Sequence, residues 1–167
     1  IDVTQFIMKV MNPFLPDEDL HSDLLDKMME MGVRGGQFAD GSQKNGFLQY
    51  EKGKPVGIFD PEKKEYVTLV TISGKCDEKL GPVPSSAINW KTAVKLRNKD
   101  EKLAAFFHDL KNSDTLGAKL AVSYGRKSNE IGCKLVTSGV AFSEEDVNTV
   151  LLTGFFHAYG PINTFFE

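Results

Sequence analysis

Between Asp114 and Ser138 two rows of residues run side by side at helical spacing. Leu116, Leu120, Tyr124, Ile131 and Leu135 recur at intervals of four and seven, which puts them on one face of a helix. Beside them lie Gly117, Ala121, Gly125, Ser128 and Gly132. Each glycine lowers helix propensity by up to about 1 kcal/mol relative to alanine, so a helix that carries several needs a packing reason for them. The pattern predicts a long central helix whose small side chains let another helix approach closely, and with it a mainly α fold.

Other helical signals flank this one. Val3, Phe6, Ile7 and Val10 share a face in Ile1 to Met11, and Pro13 and Pro16 end that helix. Asp17 to Asp19 are expected in the first turn of a second helix, favoured by the positive end of its dipole. Leu20, Leu24, Leu25, Met28 and Met31 would form its buried stripe, and Gly32 would close it in the left-handed conformation. Ser85 or Ser86 is expected to cap a helix through Leu96, and Lys99 to Leu110 predicts another with Leu103, Phe106, Phe107 and Leu110 inside. Ser143-Glu144-Glu145-Asp146 reads as an N-cap followed by acidic first-turn residues. The helix it opens would bury Val147, Val150 and Leu151 and end near Gly154.

A small β-ribbon interrupts the helices. Phe47 to Tyr50 and Val56 to Phe59 read as short strands around Lys52-Gly53-Lys54-Pro55, and Tyr66 to Ile72 as a third after the turn Asp60-Pro61-Glu62-Lys63. Gly74 to Ser86, with two prolines and two glycines, resembles a linker. The expected organisation is therefore residues 1–73, a linker over 74–86, and residues 87–167.

Bulk properties exclude several classes. Twenty basic and 23 acidic residues are scattered to a net charge of −3, which leaves no basic field for a nucleic acid. No apolar run approaches the roughly 20 residues that cross a bilayer, and Ile1 to Phe14, with Asp2 and Lys9, reads as amphipathic and not as a signal peptide. Cys76 and Cys133 lack partners at metal-ligand spacing, which predicts reduced thiols, no metal, and a cytoplasmic setting. The chain starts at Ile1 without an initiating Met, as a segment of a longer polypeptide would.

Motifs for self-contained chemistry are missing. Dinucleotide binding needs glycines between a strand and a helix, whereas Gly32, Gly35, Gly36 and Gly41 follow a helix and precede a strand. His21 and His108 read as solvent-facing, and the clusters Asp17 to Asp19 and Glu144 to Asp146 fall at helix starts. His157, just before Gly160-Pro161, could bond a free carbonyl at a helix end or move a proton. The loop Val33 to Gly46 exceeds the usual 4–6 residues, and its Arg34, Gln37, Gln43, Lys44 and Asn45 could meet an anionic ligand or another domain.

Met28-Met29-Glu30-Met31-Gly32 together with Gln43-Lys44-Asn45-Gly46-Phe47-Leu48-Gln49-Tyr50-Glu51 resembles the C-terminal domain of 3-hydroxyacyl-CoA dehydrogenases. There a helix ending in glycine leads to a turn of the G-R-K-T-G-x-G-F-Y-x-Y type. Gly57-Ile58-Phe59-Asp60-Pro61-Glu62 and Glu65-Tyr66-Val67 are similar to the adjoining segment of long members of that family, and Gly35 to Ser42 reads as an insertion. Asp146-Val147-Asn148, Gly154-Phe155 and Tyr159-Gly160-Pro161 resemble its D-x-A-x-x-x-G-[FY]-x-x-x-x-G-P-F-E segment.

The resemblance implies a mainly α module of the 6-phosphogluconate dehydrogenase C-terminal type. Residues 1–73 would be the end of one helical repeat plus the ribbon, and residues 87–167 the start of a second. It further implies NAD-dependent oxidation of a 3-hydroxyacyl-CoA in fatty-acid β-oxidation. NAD and the catalytic residues would sit in a Rossmann domain elsewhere on the same polypeptide, with which a fused hydratase domain and a homodimer are both compatible. No catalytic or cofactor-binding residue is assigned to this chain. Arg34, Lys44, Asn45, Gly46, Phe47, Gly160 and Pro161 are the expected substrate or domain contacts. Two rival readings are a non-catalytic interaction module, which exposed Phe155, Phe156, Phe165 and Phe166 would serve, and a self-contained enzyme using His157.

Overall fold

In the computed structural model, which describes residues 1–167, half the chain is helical and the one sheet has three short antiparallel strands. Packing divides the chain into two compact units, Ile1–Cys76 and Asp77–Glu167.

In the first unit α1 (Asp2–Met11) runs into a single 3₁₀ turn at Asn12–Phe14, with Pro13 at its start. Proline is tolerated there because a first-turn N–H would have no partner. The helix α2 (Asp23–Glu30) begins later than the sequence pattern predicts. Ser22 caps it by accepting the Leu25 N–H, and its first-turn acids are Asp23 and Asp26. Asp17 to Asp19 lie ahead of it, where the Asp19 carboxylate takes the His21 N–H at 2.9 Å, a local bond that competes with helix formation. Only Met28 of the expected stripe is fully buried. Gly32, at φ +76°, closes α2 as its position predicts: Val33 N donates to Met28 O and Gly32 N to Met29 O, the pairing of a Schellman motif.

Strands β1 (Leu48–Glu51), β2 (Lys54–Asp60) and β3 (Glu65–Thr68) form a meander in that order. Lys52 and Gly53 both have positive φ, 49° and 76°, as a two-residue hairpin turn matched to strand twist requires. The third strand stops at Thr68, not Ile72, and the expected strand end and the start of the expected linker instead form the helix α3 (Leu69–Leu80). The register explains it. Thr68 pairs with Gly57, so Val70 would face Pro55, which has no N–H to give.

In the second unit α4 (Trp90–Ala93) is a single turn capped by Asn89, whose Oδ1 accepts the Lys91 N–H at 3.0 Å. The expected cap at Ser85 or Ser86 is not formed. Ser86 Oγ instead donates to Asp109 Oδ2 at 2.6 Å, and that bond, with His108 second, holds the Asp109 carboxyl below its ordinary pKa. The helix α5 (Lys99–Lys111) buries Leu103, Phe106, Phe107 and Leu110, as its spacing predicts. Thr115 caps α6 (Leu116–Thr137), and Ser143 caps α7 (Glu144–Thr149), which continues as a π turn over Val150–Gly154. The wider turn changes the facing of the residues within it. Val147 is buried and Leu151 half-buried, while Val150 is exposed.

The long helix packs by the row of small residues that its pattern marks for close approach, and not by its aliphatic row. Leu116, Leu120, Tyr124, Ile131 and Leu135 are exposed, and Gly125 and Gly132 of the small-residue row are buried. A second helix meets the row only at Gly117, where a Cβ would lie 3.1 Å from Leu80 O at the end of α3. The C-terminal segment covers Gly125 and Gly132: a Cβ on Gly125 would overlap the Phe166 ring, and one on Gly132 would lie 2.7 Å from Ile162 Cγ1. Phe166 thereby joins Leu103, Phe106, Phe107, Leu110 and Ala118 in the core.

Candidate functional site

The second unit carries a groove of about 720 Å³ between α4, α6 and the segment after the π turn. That volume falls within the range of roughly 300–1,000 Å³ typical of small-molecule sites. Trp90 and Val94 come from α4 and its end, Tyr124, Gly125 and Ser128 from α6, and Phe156, Ala158, Tyr159 and Pro161 from the C-terminal segment. Trp90 meets Phe106 edge-on at 5.6 Å and Tyr159 at 6.0 Å, so the floor is continuous with the aromatic core. Burial, and next the neighbouring Tyr124, pushes the Tyr159 hydroxyl above the ordinary tyrosine pKa of 10.0. The polar lining groups are Lys91, Lys95, Ser128, His157 and Asn163 together with the two tyrosine hydroxyls.

Three asparagines hold the C-terminal wall of the groove. Asn148 on α7 donates from Nδ2 to Ile162 O at 2.8 Å and accepts the Ile162 N–H at 3.0 Å. Asn163 donates to Gly160 O and Pro161 O and accepts the Phe165 N–H, and Asn129 on α6 donates to Asn163 O at 2.8 Å. Arg126 Nε reaches Phe166 O at 3.1 Å. Gly160 is buried because Asn148 occupies the space a Cβ would need. Gly160 and Pro161 therefore belong to one clasp with Asn148, and Pro161 also lines the groove. Asn148 and the Gly-Pro step stand out in the sequence, but the asparagine network does not. Its one local signal is the Asn163-x-Phe165 spacing, an Asx-type turn.

The remaining predicted contact residues gather in the first unit. Gly46 is buried, and a Cβ on it would lie 2.7 Å from Gly35 Cα, so the loop crosses itself there with glycine on both sides. Tyr66 Oη donates to Gly46 O at 2.8 Å, and burial raises the Tyr66 hydroxyl pKa. Asn45 Oδ1 accepts the N–H of Tyr50 within β1 at 2.9 Å, which ties the loop to the strand. Lys44 Nζ lies 5.2 Å from the centre of the Phe38 ring, and Gln37 pairs with Gln43 as an isolated bridge. Arg34, Lys44 and Phe47 are exposed. Asn45 and Gly46 thus hold the loop in shape, while Arg34 and Lys44 present charge from it.

His21 and His108 are exposed beside Asp23 and Asp109, respectively. His157 faces the groove, and its backbone N–H donates to Leu151 O at 3.1 Å, closing the π turn. Phe155 and Phe156 are exposed, whereas Phe165 is half-buried and Phe166 buried, which corrects the reading of all four as surface. No helix is long and apolar enough to cross a membrane, and no group of three or more His, Cys, Asp or Glu is placed to hold a metal ion. No protein-family model, curated protein or solved structure matches the chain.

Proposed function

We propose that this chain is the C-terminal helical region of a multidomain, NAD-dependent 3-hydroxyacyl-CoA dehydrogenase, a module of the 6-phosphogluconate dehydrogenase C-terminal type that positions acyl-CoA in β-oxidation. The observation that carries the reading is the clasp: the Gly160-Pro161 step that the resemblance singles out is held in space by Asn148, which stands where the family usually has Asp. The crossing of Gly35 and Gly46 gives the other motif a similar physical reason. In this reading the cofactor is held by a Rossmann domain outside these residues, in a cytoplasmic enzyme, since the three strands described are antiparallel and dinucleotide folds are built on parallel ones. What such a module contributes is alignment and the exclusion of water, which can lower a barrier by several kcal/mol.

Arg34 and Lys44 would meet the phosphates of CoA. Isothermal titration of the chain with acetoacetyl-CoA should show binding that weakens roughly tenfold in the Arg34→Ala/Lys44→Ala double variant, as loss of two charge-assisted contacts predicts. Unchanged affinity would remove these residues from the site. A second reading, a protein-interaction module, is favoured by the exposure of Phe142, Phe155 and Phe156; saturable acetoacetyl-CoA binding would decide against it.

A further inference from the structure

We infer that the groove of the second unit is a binding site for an apolar-tailed anion, an acyl chain ending in a carboxylate or carrying a phosphate-bearing head, with Lys91 and Lys95 as its charge clamp. The proposal rests on the dehydrogenase reading only where the head is a CoA thioester, and its free-carboxylate arm is tested separately from that reading.

Three observations converge. The lining is dominated by aromatic and aliphatic side chains, and several of them stand open: Trp90 is 47% and Phe156 79% exposed. An occupant that covers such rings removes apolar surface from water, which favours an apolar ligand body. Second, the only fully charged side chains on the wall are Lys91 and Lys95, four residues apart, and neither enters an ion pair. Third, the wall holds no Asp or Glu, although the chain as a whole carries a net charge of −3. A groove with two cations, no acid and an aromatic floor is complementary to an anion with a hydrophobic tail.

The wall is also pre-formed. Asn129, Asn148 and Asn163 fix the segment carrying Tyr159 and Pro161, so binding does not need to order it. The tail would lie across Trp90 and Tyr159, and the head would reach the lysine ammonium groups at the α4 rim.

Trp90 is the one tryptophan of the chain and reports on the site directly. Its emission should shift to shorter wavelength, saturably, on titration with laurate below its aggregation threshold, while uncharged methyl laurate should bind about tenfold more weakly, the difference expected for one charge-assisted contact. Lauroyl-CoA serves as a parallel arm. Tighter binding of lauroyl-CoA assigns the anion to a CoA thioester, and tighter binding of laurate assigns it to a free carboxylate. The exposed Lys91→Glu/Lys95→Glu variant should keep its circular dichroism and lose the preference for the anion. No saturable response to either anion, or equal affinity for laurate and its methyl ester, would overturn the proposal. A response to laurate in a chain that ignores acetoacetyl-CoA would leave this site standing and remove the dehydrogenase reading.

Discussion

At the residue scale, glycines in helices separate into those that make room and those that do not. Gly74 in α3 has nothing within 4 Å of where a Cβ would be. Gly74→Ala should raise stability by about 0.5–1 kcal/mol, since only backbone entropy changes. Gly125→Ala should lower it by about 1–3 kcal/mol because Phe166 must move. Chemical denaturation of the two variants gives both signs in one experiment. Tyr159 provides a pH test. Its hydroxyl pKa is raised by burial and then by Tyr124, so the folded state favours the neutral form. The stability this contributes is complete below pH 10.0, the ordinary value, and is lost as pH climbs through the raised one. Tyr159→Phe should therefore lose less stability than the parent as pH rises above 10.0, while melting close to it at neutral pH.

At the scale of elements, what was legible in the sequence was local. The inner face of α5, the Ser143 cap and the closure of α2 at Gly32 depend on residues within a turn or two of each other, and each stands as its pattern predicts. The small-residue row of α6 is legible in the sequence, but what covers it at Gly125 is Phe166, 40 residues beyond Arg126, and not the helix its spacing predicts. The end of β3 is hidden for a similar reason, since it is set by Pro55 on the neighbouring strand and not by the β-branched residues after Thr68. Of the candidate site, the Gly-Pro step was visible, but the groove required the fold to bring α4 and α6 against it. A double-mutant cycle tests the seam between α6 and the C-terminal segment. Phe166→Ala should cost about 3–5 kcal/mol by emptying the core, and Gly125→Ala should then add almost nothing, because the ring it displaces is gone. Additive losses would show that Gly125 matters for some other reason.

At the scale of the whole molecule, both units leave apolar surface uncovered. In the first, Val3, Phe6, Ile7 and Phe14 of α1 and the turn after it are exposed; in the second, Leu120, Tyr124 and Phe142 are. Faces of this kind suit a region that packs against further domains, as the dehydrogenase module proposed above would. The most direct test is a thermal-shift titration of the chain with acetoacetyl-CoA and, in parallel, with NAD. The expected result is a melting temperature that rises with acetoacetyl-CoA concentration, by mass action on the folded state, and does not respond to NAD. A strong response to NAD, or none to acetoacetyl-CoA, would contradict the assignment.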